Sequence, residues 1–259
     1  PEFMGNSIGT SLAPTFADID SDGDEDLFVG NFNGSISFFR NNGNSITQNL
    51  QNEGTLPDID LSFYSVPKLV DIDGDQDFDL FIGTYDGNIY FFENIGTPQE
   101  FNFFLTDESF FDINVGNRSV PEFFDIDLDG DYDMVIGSEQ NNIRLYWNIG
   151  DEISPDFVLD TCFEIPFSGS NLKPSFSRLN NESALDMFVG LSTGGILHYK
   201  FEDFDGDVNG DSQLDISDIV YIVNEILSYN ANTLLCICDK NHDQNIDLLD
   251  IILLINSII

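Results

Sequence analysis

Three acidic stretches of one design recur along the chain: DIDSDGDED at residues 18–26, DIDGDQDFD at residues 71–79 and DIDLDGDYD at residues 125–133. Each places an aspartate at positions 1, 3, 5, 7 and 9 of a nine-residue loop. Five carboxylates this close repel one another unless a cation gathers them. Calcium suits such a set, because it takes six to eight oxygen ligands in a flexible cage. A solvated acidic turn is the alternative, but it does not explain three copies in one phase, each followed by the same apolar run.

The acidic loops sit inside a longer repeat that occurs four times. A proline precedes each copy of the loop, and consecutive prolines are 53 or 54 residues apart: Pro14, Pro67, Pro121 and Pro174. A glycine follows each proline by sixteen residues: Gly30, Gly83, Gly137 and Gly190. Short apolar runs lie before these glycines and predict buried strands. They occupy residues 27–29, 80–82, 134–136 and 187–189.

The residues after each glycine predict a hairpin and an outer strand. The pairs at residues 33–34, 86–87, 141–142 and 194–195 tolerate positive φ and suit two-residue hairpin turns. Second strands are expected at residues 35–40, 88–93, 143–148 and 196–200, and outer strands in segments such as 101–105 and 157–159. Four strands make a blade, and blades repeated at about fifty residues are typical of a β-propeller. The predicted fold class is therefore mainly β, a propeller of four blades with a small all-α domain at the carboxyl end.

The fourth copy of the loop departs from the pattern, since residues 178–186 read RLNNESALD. Arg178 and Ala184 replace acids, and Asn180, Glu182 and Asp186 are the remaining oxygen donors. This blade is expected to fold without calcium, with Arg178 filling part of the vacancy. No outer strand follows residue 200, so residues 7–12 are expected to complete the last blade. A closed four-bladed ring is favoured over a piece of a longer array.

Composition narrows the function classes. The chain has 259 residues, of which 47 are acidic and 8 basic, for a formal net charge of −39. This charge argues against partners that are nucleic acids or anionic membranes. Because 25 residues are phenylalanine and 41% are apolar, we expect a packed core rather than a disordered acidic chain. The two histidines offer no Ser/His/Asp or Cys/His set, so no enzyme activity is predicted.

The repeats resemble the FG-GAP/VCBS family, the calcium-loop blades also found in integrin α-subunits, over roughly residues 10–200. The first domain is accordingly assigned to residues 1–203. The resemblance implies that side chains at loop positions 1, 3, 5 and 9 and the carbonyl at position 7 bind calcium. The implied ligands are Asp18, Asp20, Asp22, Asp24 and Asp26 in the first loop, Asp71, Asp73, Asp75, Asp77 and Asp79 in the second, and Asp125, Asp127, Asp129, Asp131 and Asp133 in the third. Gln76 replaces the usual glycine at position 6 of the second loop.

Two twelve-residue loops mark a second domain at residues 204–259. Residues 207–218 read DVNGDSQLDISD and residues 239–250 read DKNHDQNIDLLD, each with oxygen donors at positions 1, 3, 5, 9 and 12. An apolar helix is expected after each, over residues 216–227 and 248–258. These loop–helix units resemble a dockerin, a calcium-binding module that docks into a cohesin partner. The resemblance implies two calcium sites, formed by Asp207, Asn209, Asp211, Gln213, Asp215 and Asp218, and by Asp239, Asn241, Asp243, Asn245, Asp247 and Asp250.

The dockerin resemblance is incomplete at two places. Position 6 of the loops holds Ser212 and Gln244 instead of glycine. Positions 10 and 11, which commonly contact the cohesin, are more apolar than usual at residues 216–217 and 248–249. Two roles therefore stay open: docking to a cohesin-like protein, and packing onto the chain's own propeller.

Cysteines and paired aromatics complete the sequence expectations. Buried free thiols are favoured over a disulfide between Cys162 and either Cys236 or Cys238. The aromatic pairs at residues 38–39, 91–92 and 146–147 are expected to bury one ring and expose the other, which would offer a sugar-stacking platform.

The expected function is that of an extracellular calcium-binding scaffold or adhesion protein. A secreted or cell-surface location is predicted, because weak calcium sites fill where calcium is millimolar. The propeller would display a protein- or glycan-binding surface, and the helical module would dock. The alternative is an accessory carbohydrate-binding part of a polysaccharide-degrading enzyme or complex.

Overall fold

The structure is a computed structural model that describes residues 8–44, 46–57, 59, 61, 63–139, 143–163, 170–179, 185–201, 213–227 and 239–258. Its described part is mainly β and contains four antiparallel sheets arranged as a four-bladed β-propeller. Two α-helices lie at the carboxyl end. None of the described helices has the length and apolar character needed to cross a membrane.

Each sheet is one blade whose strands follow chain order. Blade 1 contains β1 Ala13–Ala17, β2 Asp26–Gly30, β3 Ile36–Asn41 and β4 Leu50–Thr55. Blade 2 contains β5 Ser65–Val70, β6 Asp79–Thr84, β7 Ile89–Asn94 and β8 Phe103–Asp107. Blade 3 contains β9 Val120–Phe124, β10 Asp133–Gly137, β11 Ile143–Asn148 and β12 Phe157–Leu159. Blade 4 has three described strands, β13 Lys173–Ser177, β14 Leu185–Gly190 and β15 Ile196–Phe201. The apolar runs predicted as buried strands are confirmed in all four blades.

The core lies between the blades because successive side chains of a strand point to opposite faces of its sheet. In β6, Leu80 and Ile82 pack toward blade 1, in a cluster with Phe28. Phe81 lies on the other face and packs toward blade 3, in a cluster with Met134. Blades 3 and 4 share a third cluster of the same kind. The repeat therefore builds a continuous core by stacking, and each blade is buried on the faces that its neighbours cover.

The hairpins have three-residue loops where described in full, so the predicted two-residue turns are wrong. In blade 2, Thr84 N donates to Asn88 O at 3.2 Å, which leaves residues 85–87 in the loop. Gly87 has φ of 86° and closes a turn in which its own N–H donates to Thr84 O. A type I turn followed by a left-handed glycine is the usual three-residue hairpin loop. Gly87 is the third residue of this loop, whereas a two-residue turn would have made it the second.

The amino-terminal segment lies on blade 1, so the expectation that residues 7–12 complete blade 4 is wrong for its described part. Ile8 packs against the Leu27, Val29 and Phe39 side chains. Its carbonyl accepts a hydrogen bond from Asn31 Nδ2 at 3.0 Å. Hydrogen bonding to its own blade thus fixes the segment on the face that a preceding blade would cover.

Helices α1 Ile216–Leu227 and α2 Leu248–Ile258 form where the sequence predicts them. They pack together through Ile222 and Leu254, which are buried, with Leu214, Ile219, Ile246 and Ile251 around them. We call residues 213–227 and 239–258 the helical module.

Candidate metal sites

The structure gathers the aspartates at positions 1, 3 and 5 of each acidic propeller loop. One carboxylate oxygen from each member of a set lies within 4.8 Å of the others. The three sets are Asp18, Asp20 and Asp22; Asp71, Asp73 and Asp75; and Asp125, Asp127 and Asp129. The three loops thus place their carboxylates alike, each immediately before the second strand of its blade, which is β2, β6 or β10.

Backbone hydrogen bonds to the aspartates at positions 1 and 5 fold the loop around this set. Asp18 accepts from Asp22 N and Gly23 N, both at 3.0 Å. Asp22 in turn accepts from Asp24 N at 3.1 Å. A carboxylate at position 1 that bonds the amides ahead of it curls the chain, so that later donors approach from the other side. In the second loop, Gln76 N donates to Asp71 in the same way at 3.1 Å.

The aspartate at position 9 ties each loop to its blade. Asp133 is 2% exposed, and its two oxygens accept from Asn148 N at 3.0 Å and Ile126 N at 2.9 Å. Asp79 makes the matching bonds, to Asn94 N at 2.8 Å and Ile72 N at 3.4 Å. Burial is the main cause that raises the pKa of Asp133 to about 8 and that of Asp79 to about 7. These position-9 carboxylates lie outside the sets of three, so their ligand role stays a prediction.

The aspartate at position 7 has a buried carboxylate oxygen without a hydrogen-bond partner among the described residues. This holds for Oδ1 of Asp24, Asp77 and Asp131. The same is true of Oδ1 of Asp71 and Asp125 at position 1. Burial, followed by the neighbouring carboxylates, raises the pKa of Asp131 to about 7. An unpaired buried acceptor is costly, so these oxygens fit a bound cation. The position-7 side chain is thus a second candidate donor beside its carbonyl, which the family resemblance alone implies.

A buried asparagine supports each acidic loop, and sequence reasoning missed it. Asn41, Asn94 and Asn148 occupy the last position of β3, β7 and β11. Besides donating from N to the position-9 aspartate, each accepts two backbone N–H bonds through Oδ1, as Asn94 does from Gly96 N and Asn102 N at 3.2 and 2.8 Å. The signal was present in the sequence, because the three asparagines recur in the same phase as the glycines.

The first acidic loop differs from the other two because a positively charged side chain, Arg40, lies beside it. Arg40 forms an ion pair with Asp20 at position 3. The corresponding strand residues of blades 2 and 3 are Glu93 and Trp147. Arg40 therefore offsets part of the negative charge that the other two loops keep.

The fourth loop lies partly outside the described residues, which exclude Asn180, Glu182 and Ala184. Arg178 donates from Nη2 to Asp125 O of the third loop at 2.6 Å. Asp186, at position 9, pairs with His198 Nε2 at 2.5 Å. This histidine lies in β15, and its ring stacks on Phe188.

The second loop of the helical module follows the propeller pattern. Asp239 accepts from Asp243 N at 3.1 Å and Gln244 N at 2.8 Å. Asp250, at position 12, accepts from Asp247 N at 2.8 Å. Asn241 donates from Nδ2 to Asp243, which leaves its Oδ1 buried and unpartnered among the described residues. The loop is thus shaped around oxygen donors that point inward.

The first loop of the module is described only in part. Asp207, Asn209 and Asp211 lie outside the described residues, whereas Gln213, Asp215 and Asp218 lie within them. Asp218 is fully buried and accepts from Asp215 N at 2.9 Å, which repeats the bond of Asp250. Asn245 and Asp247 of the second loop remain exposed.

The second module loop contacts blade 3. The ring of His242 stacks on Trp147, with centroids 3.8 Å apart and planes 10° apart. Burial lowers the pKa of His242 to about 4, so this contact is made by a neutral imidazole at pH 7. Gln244 Nε2 donates to Leu159 O of β12 at 2.9 Å. The module therefore bonds to the outer edge of blade 3 through residues at positions 4 and 6 of its loop.

Cys162 and the paired aromatics differ from the sequence expectations. Cys162 is disulfide-bonded, so the preference for a free thiol is wrong at this residue; Cys236 and Cys238 lie outside the described residues. Two of the three aromatic pairs do not expose one ring each, because Phe38 and Phe39 are both buried, as are Tyr146 and Trp147. In the third pair Phe92 is buried and Phe91 is half-buried. Phe38 packs in the core between blades 1 and 2, Phe39 packs against Ile8, and Trp147 is covered by His242, so these rings are not free for a sugar to stack on.

Comparisons with known proteins add little to this geometry. No known protein family and no curated protein matches the chain. Among solved structures, a chain of the Tc holotoxin pore of Photorhabdus luminescens aligns with 74% of this chain and 9% of its own length. The two are 13% identical, with a TM-score of 0.40. A similarity this weak carries no argument about fold or function.

Proposed function

We propose that the chain is a non-enzymatic, calcium-binding scaffold protein that works outside the cell or at its surface. The observation that carries this proposal is the set of buried carboxylate oxygens, beside the three gathered carboxylate sets, that have no hydrogen-bond partner in the part of the chain that the structure describes. Calcium would be held by the propeller loops and by the two module loops, as in FG-GAP/VCBS blades and dockerins. In the propeller, the calcium ions would neutralise the acidic loops and fix the turn that leads into the second strand of each of blades 1 to 3.

The helical module is proposed to combine both docking roles. Its second loop bonds to blade 3 through His242 and Gln244. Its helices meanwhile expose apolar side chains, including those at loop positions 10 and 11: Ile216, Val220, Leu248, Leu249 and Ile252. Isolated apolar residues are common on surfaces, but a cluster on one small module suits a protein partner. We propose a cohesin-like partner for this face.

Thermal unfolding of the full chain with and without calcium tests the proposal. A ligand that binds only the native state, present at a hundred times its Kd, stabilises it by about 2.7 kcal/mol. We therefore expect a marked fall in Tm after chelation, and about five bound ions by calorimetric titration if each predicted loop holds one. Equal melting curves with and without calcium would contradict the proposal.

Matched variants assign the effect to the loops. Asp75→Asn removes one carboxylate from the second set of three. Glu53→Gln removes one charge from an exposed position of β4, away from the loops. The loop variant should reduce the rise in Tm on adding calcium and weaken calcium binding at the second loop, because asparagine keeps an oxygen donor but loses the charge. The strand variant should change neither.

A second candidate is carbohydrate binding as an accessory part of a polysaccharide-degrading enzyme or complex. It is favoured by two exposed rings beside the hairpins, Phe32 and Phe63, whose centroids are 5.9 Å apart. Such rings can stack on sugar faces. Binding to a panel of plant and algal polysaccharides that is lost in Phe63→Ala would support this candidate, and turnover of a polysaccharide would contradict the non-enzymatic assignment.

A further inference from the structure

The second module loop, residues 239–250, curls in the same way as the acidic propeller loops. His242 and Gln244, at loop positions 4 and 6, have φ of 57° and 65°. Positions 4 and 6 of the three propeller loops also have positive φ, and six residues occupy them: Ser21, Gly23, Gly74, Gln76, Leu128 and Gly130. The left-handed conformation is costly for a residue with a Cβ, so the module loop adopts this curl although it has no glycine at either position.

The curl places the oxygen donors and the contact residues of the module loop on different sides. Asp239 accepts from the N–H groups of Asp243 and Gln244 at 3.1 and 2.8 Å. Asn241 donates to Asp243, which leaves its Oδ1 buried and without a partner among the described residues. His242 and Gln244 alternate with these donors along the chain and contact blade 3 instead. The shape that gathers the donors is therefore also the shape that presents two side chains to the propeller.

The described contact between the module and blade 3 runs through this loop. It consists of the His242 ring on Trp147 and the hydrogen bond from Gln244 to Leu159 O. Asp160 of blade 3 holds the indole in place, since Trp147 Nε1 donates to its Oδ2 at 3.0 Å. The apolar cluster of the module contains, among the described residues, only side chains of the module itself. A contact made in this way depends on the shape of one loop.

Negative charge on both sides opposes the contact when no cation is bound. The module loop contains four aspartates and one lysine, and the third propeller loop, residues 125–133, contains five aspartates. Burial lowers the pKa of His242, and the charges of Asp160 and Asp129 act in the opposite direction, so both carboxylates lie near the ring. Like charges repel across such a contact, and a cation held in either loop reduces the repulsion.

We propose that the second module loop seats on blade 3 when it holds calcium. This seating rests on the calcium binding proposed above. With the donors gathered around the ion, the curl is fixed and His242 and Gln244 reach blade 3. Without the ion, the carboxylates of the loop repel one another, the curl opens, and the imidazole leaves Trp147. One loop moves, so the module does not have to leave the propeller.

Emission of Trp147, the only tryptophan in the chain, follows the seating in the full-length protein. Asp243→Asn keeps an oxygen donor but removes one charge from the module loop. At the lowest calcium concentration that saturates the unmodified protein, its emission should lie at longer wavelength, near that of His242→Asn, and should move back as calcium is raised. The matched control, Asp75→Asn, removes the carboxylate at the same position of the second propeller loop and should keep the emission of the unmodified protein.

Calorimetric titration of His242→Asn with calcium measures the reciprocal effect. If calcium favours the contact, the contact must favour calcium binding by the same factor. We expect one site to bind calcium about twofold to tenfold more weakly in this variant, which corresponds to the loss of one ring stack. His198→Asn, in blade 4, should bind calcium as the unmodified protein does.

Two results separate this seating from the calcium proposal. A Tm that rises on adding calcium, together with equal emission of Asp243→Asn and the unmodified protein at every calcium concentration, would overturn the seating and leave calcium binding in place. Equal calcium affinities of His242→Asn and the unmodified protein would do the same. A Tm that does not respond to calcium would overturn both. Far-ultraviolet circular dichroism confirms that each variant folds.

Discussion

The aspartate at position 9 joins two functions in one side chain. In Asp133 it accepts a hydrogen bond from Ile126 N, near the start of the acidic loop, and another from Asn148 N, at the end of β11. It also brings a carboxyl group that a bound cation would hold in its ionised form. A neutral acceptor would make the same backbone bonds at lower cost in a buried place. A carboxylate in the three acidic loops therefore fits a need for charge as well as shape, whereas Asp186 of the fourth copy pairs with His198 instead.

Gln76 is the residue that departs most clearly from its neighbours in the loops. It has φ of 74°, in the left-handed region that glycine occupies without a penalty, and Gly23 stands at the same position of the first loop. A residue with a Cβ destabilises the folded state by about 1–2 kcal/mol in this conformation. Glycine avoids this penalty, but its greater conformational freedom also stabilises the unfolded chain, which offsets part of the gain. We expect Gln76→Gly to raise the free energy of unfolding by about 0.5–1 kcal/mol.

Denaturant unfolding in saturating calcium measures this gain, and Gln76→Ala is its control. Alanine removes the amide but keeps the Cβ, so it should bring no gain. Equal stabilisation by glycine and alanine would show that the side chain, and not the backbone conformation, limits the second loop.

At the scale of elements, strands and helices could be predicted because their signals are local. A proline and a glycine recur at fixed spacing in each blade, and the short apolar run before the glycine predicts a buried strand. The asparagine supports of the loops could also have been found, since they recur in phase. The contact between His242 and Trp147 could not, because neither residue carries a local pattern and their meeting depends on how the module packs against blade 3.

That contact gives an element-scale prediction with a built-in probe. Trp147 is the only tryptophan in the chain, so its fluorescence reports on this place alone. We expect His242→Asn to shift the emission to longer wavelength, because water replaces the imidazole on one face of the indole. Asparagine tolerates the φ of 57° at this position, which limits other effects. The loss of stability should be about 0.5–1.5 kcal/mol.

His198→Asn is the matched control for the fluorescence experiment. It removes the only other histidine, which pairs with Asp186 in blade 4. Its emission should equal that of the unmodified chain. An unchanged spectrum for His242→Asn would contradict the packing of the module on blade 3 in solution.

At the scale of the whole molecule, charge decides how the fold responds to calcium. A net charge of −39 on 259 residues means that negative charges within the metal-free fold repel one another. This repulsion is strongest in the acidic loops, where the carboxylates are closest together. Cations and protons are the two species that can relieve it. Calcium loading and pH must therefore be linked, since both act on the same carboxylates.

The direction of this linkage follows from the buried aspartates. Burial raises the pKa of Asp133 from 3.8 to about 8, and that of Asp79 to about 7. From about pH 4, where unfolded aspartates ionise, up to the raised pKa values of the folded protein, the metal-free fold holds protons that the unfolded chain has released. Over this range its free energy of unfolding therefore falls as the pH rises. We expect the Tm of the metal-free protein to be higher at pH 5 than at pH 8. In saturating calcium the trend should reverse or flatten, because the ion needs ionised carboxylates and protons compete with it. A metal-free Tm that rises from pH 5 to pH 8 would show that these carboxylates are already ionised without calcium, and that cations other than protons or ordered water compensate them.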